Sequence, residues 1–473
     1  CIYNKMVLCS SNLTSGFIDL ATFDELEKYL YGGHDAIAYF VRETRKSTWF
    51  SQVPVVLTRG TGQPGFGDEW SVSISRAGDY LLQTWLRLTI PNIELKGSAN
   101  GVGQNRVTLR WTQNLMHNLI RECCITFNDL VAARFDNFHL DFWAAFTTPA
   151  GKQTGYSNMI GNFDALIQGV STGPGPAAPD ATLQGATLNL PLPFFYSRDS
   201  GVALPTAALP YNEMRISFNF RRWEELLMLV QDGVNTTEQR SVPVPLIDIS
   251  AAPEISNCMV WANYAIVSND ERKRMACAPR DMLIEQVQTA PKQTFSPVSN
   301  LTPQYDMRFS HAVKVLFFSV RNATYRGEWS VYTSSSPFTD AVGSTNFLPA
   351  GSADPILQTS LIYENTNRLA QMGSDFFSLI NPYYTAPVIP ETTGYHQYSY
   401  SLDYMCLDPM GSTNYGKLTN VSITPEASNA ALLAAEGGGN NGADYNQKFD
   451  FHVTAINNNV IRISGGALGF PVL

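Results

Sequence analysis

The chain has 473 residues, a length that suggests two or three domains at about 150 residues each. Its 32 Lys and Arg and 41 Asp and Glu make up only 15% of it, where about 25% is typical, while 44% is apolar and 12% aromatic. This composition can fill a large core and excludes disorder, a coiled coil and a polyelectrolyte tail. A net charge of −9 also argues against a broad duplex-binding surface, which needs clustered Lys and Arg.

In chain order, Cys1 to Lys5 precede Met6, so the expected natural start is Met6, with residues 1–5 an upstream extension. The start lacks the charged, apolar, small-residue layout of an export signal. Thr22-Phe-Asp-Glu25 has the form of a capping box and Gly32-Gly33 that of a helix stop. Between them one short helix is expected, with Phe23, Leu26 and Leu30 on one side. An extended segment to about Phe50 would complete an arm that docks on something.

Beyond the arm, apolar residues recur with period two, the mark of strands with one buried face. Tyr80 to Ile90, Met214 to Phe220, Tyr398 to Tyr404 and Phe449 to Ala455 all alternate, separated by Pro- and Gly-rich stretches as in an antiparallel sandwich. Helices are expected at Asn114–Arg121, Phe138–Phe146 and Asn269–Ala276. The last lies behind a second capping box, Ser268-x-x-Glu271, and carries a solvated Arg272-Lys273-Arg274 face.

The halves echo one another. Phe194-Phe195, a Pro-rich loop, the strand from Met214 and the strand Met259 to Val267 resemble Phe376-Phe377, a Pro-rich loop, the strand from Tyr398 and the strand from Phe449. The reading is all-β: two consecutive sandwiches with a few short helices and an N-terminal arm. The expected divisions are 1–49 for the arm, 50–268 for the first sandwich, 269–280 for a helical linker and 281–473 for the second. Residues 169–185, 325–355 and 425–446 look like surface insertions.

No apolar run reaches the 18 to 20 residues of a membrane helix; Val313 to Val320 is interrupted by Lys314 and Ser319. The seven cysteines, at 1, 9, 123, 124, 258, 277 and 406, form no C-x-x-C pair and read as buried thiols. Asn12, Asn235, Asn300, Asn322 and Asn420 fit the glycosylation tripeptide by chance.

Motifs that suggest chemistry fail on context. Gly60-Thr-Gly-Gln-Pro-Gly65 has the dinucleotide spacing but contains Pro64 and leads into a strand. Gly411 to Lys417 is one residue short of a phosphate loop, and Leu418 replaces the magnesium-binding hydroxyl. Gly169-Val-Ser171-Thr-Gly173 precedes Pro174 rather than the helix a nucleophile elbow requires. The six histidines, 34, 117, 139, 311, 396 and 452, show no zinc spacing. Asp136, Asp141, Asp199 and Glu213 could pair for acid–base work, but salt bridges explain them more simply. Tyr383, Tyr384 and Trp329 would suit sugar stacking if exposed, and packing within the core or between subunits is the plainer reading. No catalytic, cofactor-binding or metal-binding residues are therefore expected, and no cofactor.

Longer stretches are specific. Thr14-Ser-Gly-Phe-Ile-Asp19, the run Ser197 to Ile216 (SRDSGVALPTAALPYNEMRI), and the C-terminal run Asn457 to Leu473 (NNNVIRISGGALGFPVL) closely resemble the major capsid proteins of iridoviruses, nearest the invertebrate iridescent type. Further matching stretches include Thr126 to Asp136, Leu140 to Ala150, Leu188 to Phe195, Met372 to Pro382 and Asp408 to Asn420. The resemblance spans residues 6–473, and Cys1 to Lys5 find no counterpart in it. It implies a double jelly roll, two eight-stranded sandwiches side by side, with three copies forming a pseudo-hexagonal capsomer of an icosahedral shell. In this family the shell encloses a membrane around double-stranded DNA. The implied partners are thus other copies of the chain, with minor capsid proteins or the membrane meeting the arm, and no nucleic acid. The implied setting is the virion, assembled in the host cytoplasm. A carbohydrate- or receptor-binding sandwich of the virion surface is the alternative from another class. A sandwich hydrolase using Ser171, Asp199 or Glu213 is the third.

Overall fold

The computed structural model describes residues 2–99, 107–172, 179–232, 239–324, 327–334, 354–436 and 447–471. By contacts the chain divides into residues 1–49 and residues 50–473. In the first unit a helix spans Ile2–Ala21 and a second spans Glu25–Leu30. The second helix starts two residues later than expected. Asp24, rather than Thr22, is its cap, and Glu27 reaches back to the Asp24 N–H at 3.1 Å. Thr22 instead donates to the Asp19 carbonyl at the end of the first helix. A carboxylate one turn from Glu27 forms the reciprocal pair, which leaves Thr22 free to close the preceding turn.

In the second unit, alternation translates directly into faces. Along Met214–Phe220 the residues Met214, Ile216, Phe218 and Phe220 are buried, and those between them face outward. Two sheets sandwich the first core. One has the order Phe50–Val56, Ser256–Val267, Tyr80–Thr89, Thr187–Pro191. The other runs Thr58–Thr61, Glu69–Ser73, Met214–Phe220, Ile120–Phe127, Leu130–Asp136. Two sheets also sandwich the second core. The backbone of one is Arg280–Thr289, Phe449–Ser464, Ala312–Asn322, His396–Ser399. The other is Tyr305–Asp306, Val421–Ala427, Ile356–Tyr363, Thr366–Gly373.

The strand orders coincide except at Thr58–Thr61, an edge strand of the first sandwich with no counterpart in the second sandwich's sheet. In each sandwich the first strand lies against the last, which lies against an early long strand and then a short one. In each opposite sheet a two-residue hairpin closes the edge. Its turn residues, Asn128-Asp129 in one and Glu364-Asn365 in the other, all have positive φ, as tight hairpins demand. The sequence echo is therefore real: Met259–Val267 and the strand from Phe449 are equivalent as matched, whereas the match of Met214 with Tyr398 is one strand out. The strand equivalent to Met214–Phe220 is Val421–Ala427, and His396–Ser399 corresponds to Thr187–Pro191.

Other expectations shift for local reasons. The helix at Asn114 covers only Leu115–Leu119, because Ile120 to Phe127 is claimed by pairing with Met214–Phe220. The alternation from Tyr398 ends as a strand at Ser399, and Leu402 is exposed at a turn. Phe138–Phe146 forms as Asn137–Thr147, capped by Asp136 through the His139 N–H. The helix Asn269–Cys277 forms without a side-chain bond from Ser268, and Arg272 ties it to buried Asp79 at 2.8 Å. Helices Ala150–Ile160, Asn381–Thr385 and Asn429–Glu436 lack a strong apolar period and were not expected. The three insertions fall partly outside the described residues. Of their described parts, Glu328, Ser330 and Tyr332 are buried rather than on the surface, and Val421–Ala427 takes Pro425 into a strand.

No helix among the described residues is long and apolar enough to cross a membrane. Cys123 is buried, Cys124, Cys258 and Cys406 are half-buried, and Cys277 is exposed, all as free thiols. The expectation of uniformly buried thiols thus fails at Cys277, which ends a solvated helix.

Helix Asn137–Thr147 leaves the first sandwich and lays Phe138, Phe142 and Phe146, spaced i, i+4, i+8, on the outer face of the second sandwich's long sheet. There they meet Val315, Phe317 and Ile456. The Phe142 and Phe146 rings stack on Phe317 at 6.0 and 5.4 Å. Phe142→Ala should lower unfolding free energy by about 3 to 5 kcal/mol through lost burial and a cavity, measured as a lower urea midpoint.

Candidate functional site

Around the aromatic stripe, at the joint between the sandwiches, the chain places a network of buried polar groups. Asp141 lies on the helix face beside Phe142 and accepts from the hydroxyls of Ser330 and Tyr332, each at 2.8 Å, and from the Asn114 amide at 3.3 Å. His117 Nδ1 lies 2.7 Å from the same carboxylate, and its Nε2 lies 2.6 Å from the Tyr156 hydroxyl. A second chain of bonds runs from the Ser330 hydroxyl to the Asn118 amide, from Asn118 Oδ1 to the Asn137 amide, and from Asn137 Oδ1 to Arg221. Arg221 and Arg321 sandwich Trp329 at 3.8 and 4.3 Å. Trp329 is thus engaged in the joint and does not form an open sugar platform; its indole N–H donates to the Glu225 carbonyl.

A second polar knot lies at the same joint. Lys314 is fully buried and donates to Glu285 at 2.6 Å and to the Cys406 carbonyl at 2.8 Å. Arg198 of the first sandwich meets the other Glu285 oxygen at 3.1 Å and stacks on Trp143 at 4.3 Å. One carboxylate therefore pairs with two cations in a low-dielectric setting, where an unpaired charge would be very costly.

Two Ser/His/Asp groupings arise among the described residues, and neither has relay geometry. At Ser330, Asp141 and His117 the carboxylate bonds the serine directly, with no imidazole between them. At Ser374, Asp354 and His396, serine and carboxylate both meet Nε2, and His396 Nδ1 is buried without a hydrogen bond. Here His396 links a loop to a strand.

The candidates singled out in the sequence are scattered by the fold. Asp136 and Asp141 share one helix, Asp136 as its cap with a carboxyl pushed up to about 6 by burial. Asp199 caps a single exposed turn, Glu213 pairs with Arg215 on the surface, and Ser171 sits on a two-residue edge strand. His139 is buried against Phe135 and Trp143, and His452 stacks on Phe138 at 3.9 Å. The Asp141 and Glu285 networks were not found from sequence, since the partners stand 24 to 191 positions apart. Lys314, inside an apolar run, was the visible signal of polar contacts at that strand.

Residues 12–49 and parts of the sandwiches carry exposed apolar side chains. Leu13, Phe17 and Leu20 share a helix face, and Ile37, Tyr39, Phe40, Val41 and Trp49 are all exposed. Tyr383 and Tyr384 are exposed on the second sandwich.

The joint generates two predictions. Glu285→Leu strands Lys314 and Arg198 and should cost about 3 to 5 kcal/mol, whereas Lys314→Met leaves Glu285 paired with Arg198 and should cost less; urea denaturation compares them. Burial holds the His139 and His452 imidazoles down to about 3, reinforced by Arg198 beside the first and by Arg321 and Lys292 beside the second. Unfolded histidines bind protons near pH 6.5, so this stability is complete above that value and is lost as pH falls toward 3. Unfolding free energy should drop across that window, and His452→Gln should make the drop shallower.

Residues 38–267 match the family described as "Major capsid protein N-terminus", and residues 271–469 match "Large eukaryotic DNA virus major capsid protein". The chain is 62% identical over 471 residues to the major capsid protein of Costelytra zealandica iridescent virus, covering 99% of this chain and all of that one. It is 63% identical to that of Tipula iridescent virus, covering 98% of each, and 61% identical to that of Invertebrate iridescent virus 6, covering 99% and 100%. Among solved structures, the quasi-atomic PBCV-1 virus capsid superposes with a TM-score of 0.69 at 20% identity, over 92% of this chain and all of that one. The Faustovirus major capsid protein does so with 0.66 at 12% identity, over 91% and 93%. These likenesses show the fold, a double jelly roll. With matching sandwiches, a buried joint between them and full-length identity above 60%, the chain belongs to the major capsid proteins of iridescent viruses.

Proposed function

We propose that this capsid protein acts as a homotrimer, a pseudo-hexagonal capsomer that tiles the outer icosahedral shell of a large double-stranded DNA virus with an inner membrane. The observation that carries the reading is the repetition of one strand order in two sandwiches of a single chain. Three such chains supply six similar units, and closed three-fold symmetry makes every contact heterologous yet finite. Low charge fits this role, because permanent interfaces are depleted of charged residues at their cores. In this reading residues 50–268 and 281–473 are the two domains and 269–280 joins them.

The arm, residues 1–49, is proposed to face inward and meet minor capsid proteins or the membrane, without touching the genome. Its exposed Leu13, Phe17 and Leu20 support a docking role. Assembly in the host cytoplasm and residence in the virion complete the proposal. Light scattering of the purified chain should give about 157 kDa, three times 52.3 kDa, and electron micrographs should show three-fold particles with six lobes. A stable monomer at micromolar concentration would overturn the reading.

A further inference from the structure

The repetition of the two sandwiches has an asymmetry in what covers them. In the second sandwich, the outer face of the long sheet is closed within the chain: Phe317 lies beneath Phe142 and Phe146. The helix that supplies those rings follows the first sandwich's edge hairpin, Ile120–Phe127 with Leu130–Asp136.

In the first sandwich the equivalent outer face carries an apolar row that crosses all four strands. Val56 is opposite Trp261, Trp261 opposite Trp85, and Trp85 opposite Pro191. The indoles stack at 6.3 Å with 8° between their planes. Val56 and Pro191 are exposed, the indoles are half-buried, and Arg87 stands beside the row opposite Met259. The other sheet of this sandwich is unlike it. Its outer face carries Glu69, Glu122, Arg134 and Arg215 around Ser71 and Ser217, the composition of a solvated surface.

The counterpart of the covering helix is also present. After the second sandwich's edge hairpin come the helical turns Phe376–Ile380 and Asn381–Thr385. Their Ile380, Tyr383 and Tyr384 are 46%, 70% and 77% exposed. One chain thus has one covered sheet with its covering helix, and one open sheet with an idle covering segment.

We infer that residues 376–385 of one copy cover the Val56, Trp261, Trp85 and Pro191 row of a second copy, repeating between chains the contact that helix Asn137–Thr147 makes within the chain. Tyrosine and tryptophan are the residues best suited to anchor such a contact, and Arg87 can stack on an incoming tyrosine ring. The two surfaces differ, so the contact is heterologous. Alternating with the internal joint, it gives six steps around a ring of three chains. The inference rests on the self-association proposed above and names its surfaces.

The test uses the full chain. Tyr383→Ser with Tyr384→Glu, both on exposed side chains, should weaken association at least tenfold in concentration-dependent light scattering. Glu122→Lys on the solvated sheet should leave it unchanged. Independently, a mixture of Pro191→Cys and Tyr384→Cys proteins should form a disulfide between copies under mild oxidation. Peptide mapping should locate that bond between positions 191 and 384, and neither protein alone should yield it. If the unaltered chain is monomeric, the self-association reading itself fails. If the unaltered chain assembles, the tyrosine variant assembles equally and no 191–384 bond forms, this inference fails while self-association stands. A Pro191→Cys adduct mapping to residues 12–49 assigns the row to an arm and likewise overturns the inference.

Discussion

The structure depends on the seating of three phenylalanines from one sandwich on the outer face of the next. Phe138, Phe142 and Phe146 bury a sheet face that a solitary sandwich would leave to water, and so they convert two similar units into one body. Because the apolar contact has no direction of its own, orientation falls to the polar groups around it. Asp141 gathers Ser330, Tyr332, Asn114 and His117, and Glu285 gathers Lys314 and Arg198. Each network loses its partners if the sandwiches slide, which makes the joint rigid as well as stable.

That rigidity bears on the function. A shell protein whose internal joint flexed would present variable edges to its neighbours, and a lattice of near-equivalent contacts could not close. In the proposed capsomer the joint would be one internal step, already made in the folded chain. Capsid assembly then has to form only the steps between chains, which lowers the number of bodies to be ordered and the associated entropy cost.

Chemical features that elsewhere mark catalysis serve cohesion here. Buried histidines, aspartates and a buried lysine are clustered in the chain and bond one another across elements, and His117, Asp141 and Tyr156 also line a pocket with Asn114 and Tyr395. His117 holds Asp141 and Tyr156 together, His396 holds Asp354 and Ser374, and His452 fills space against Phe138.

Much of this was legible in the residues. Alternation at Met214–Phe220 and Tyr80–Thr89 declared strands because side-chain direction in a strand depends on the local backbone alone. The helix at Asn137–Thr147 announced its i, i+4, i+8 phenylalanines for the same reason. The long matching runs declared the family. Other features depended on what the chain meets at a distance. Strand pairing shortened the helix at Leu115, and Asp24 outcompeted Thr22 for a cap. The echo of the two halves was visible and its last strands were rightly matched, yet Met214 stood against Tyr398 one strand out, because equivalence is defined by sheet order and not by neighbouring motifs. Lys314 looked like an interruption until Glu285, 29 residues away, stood beside it. The sequence by itself determined which faces of strands such as Met214–Phe220 and Tyr80–Thr89 are apolar, since side-chain direction is a local property of the chain. Which apolar face is covered within the molecule and which is left exposed was decided only by the tertiary structure, since that depends on where elements far apart in sequence come to rest.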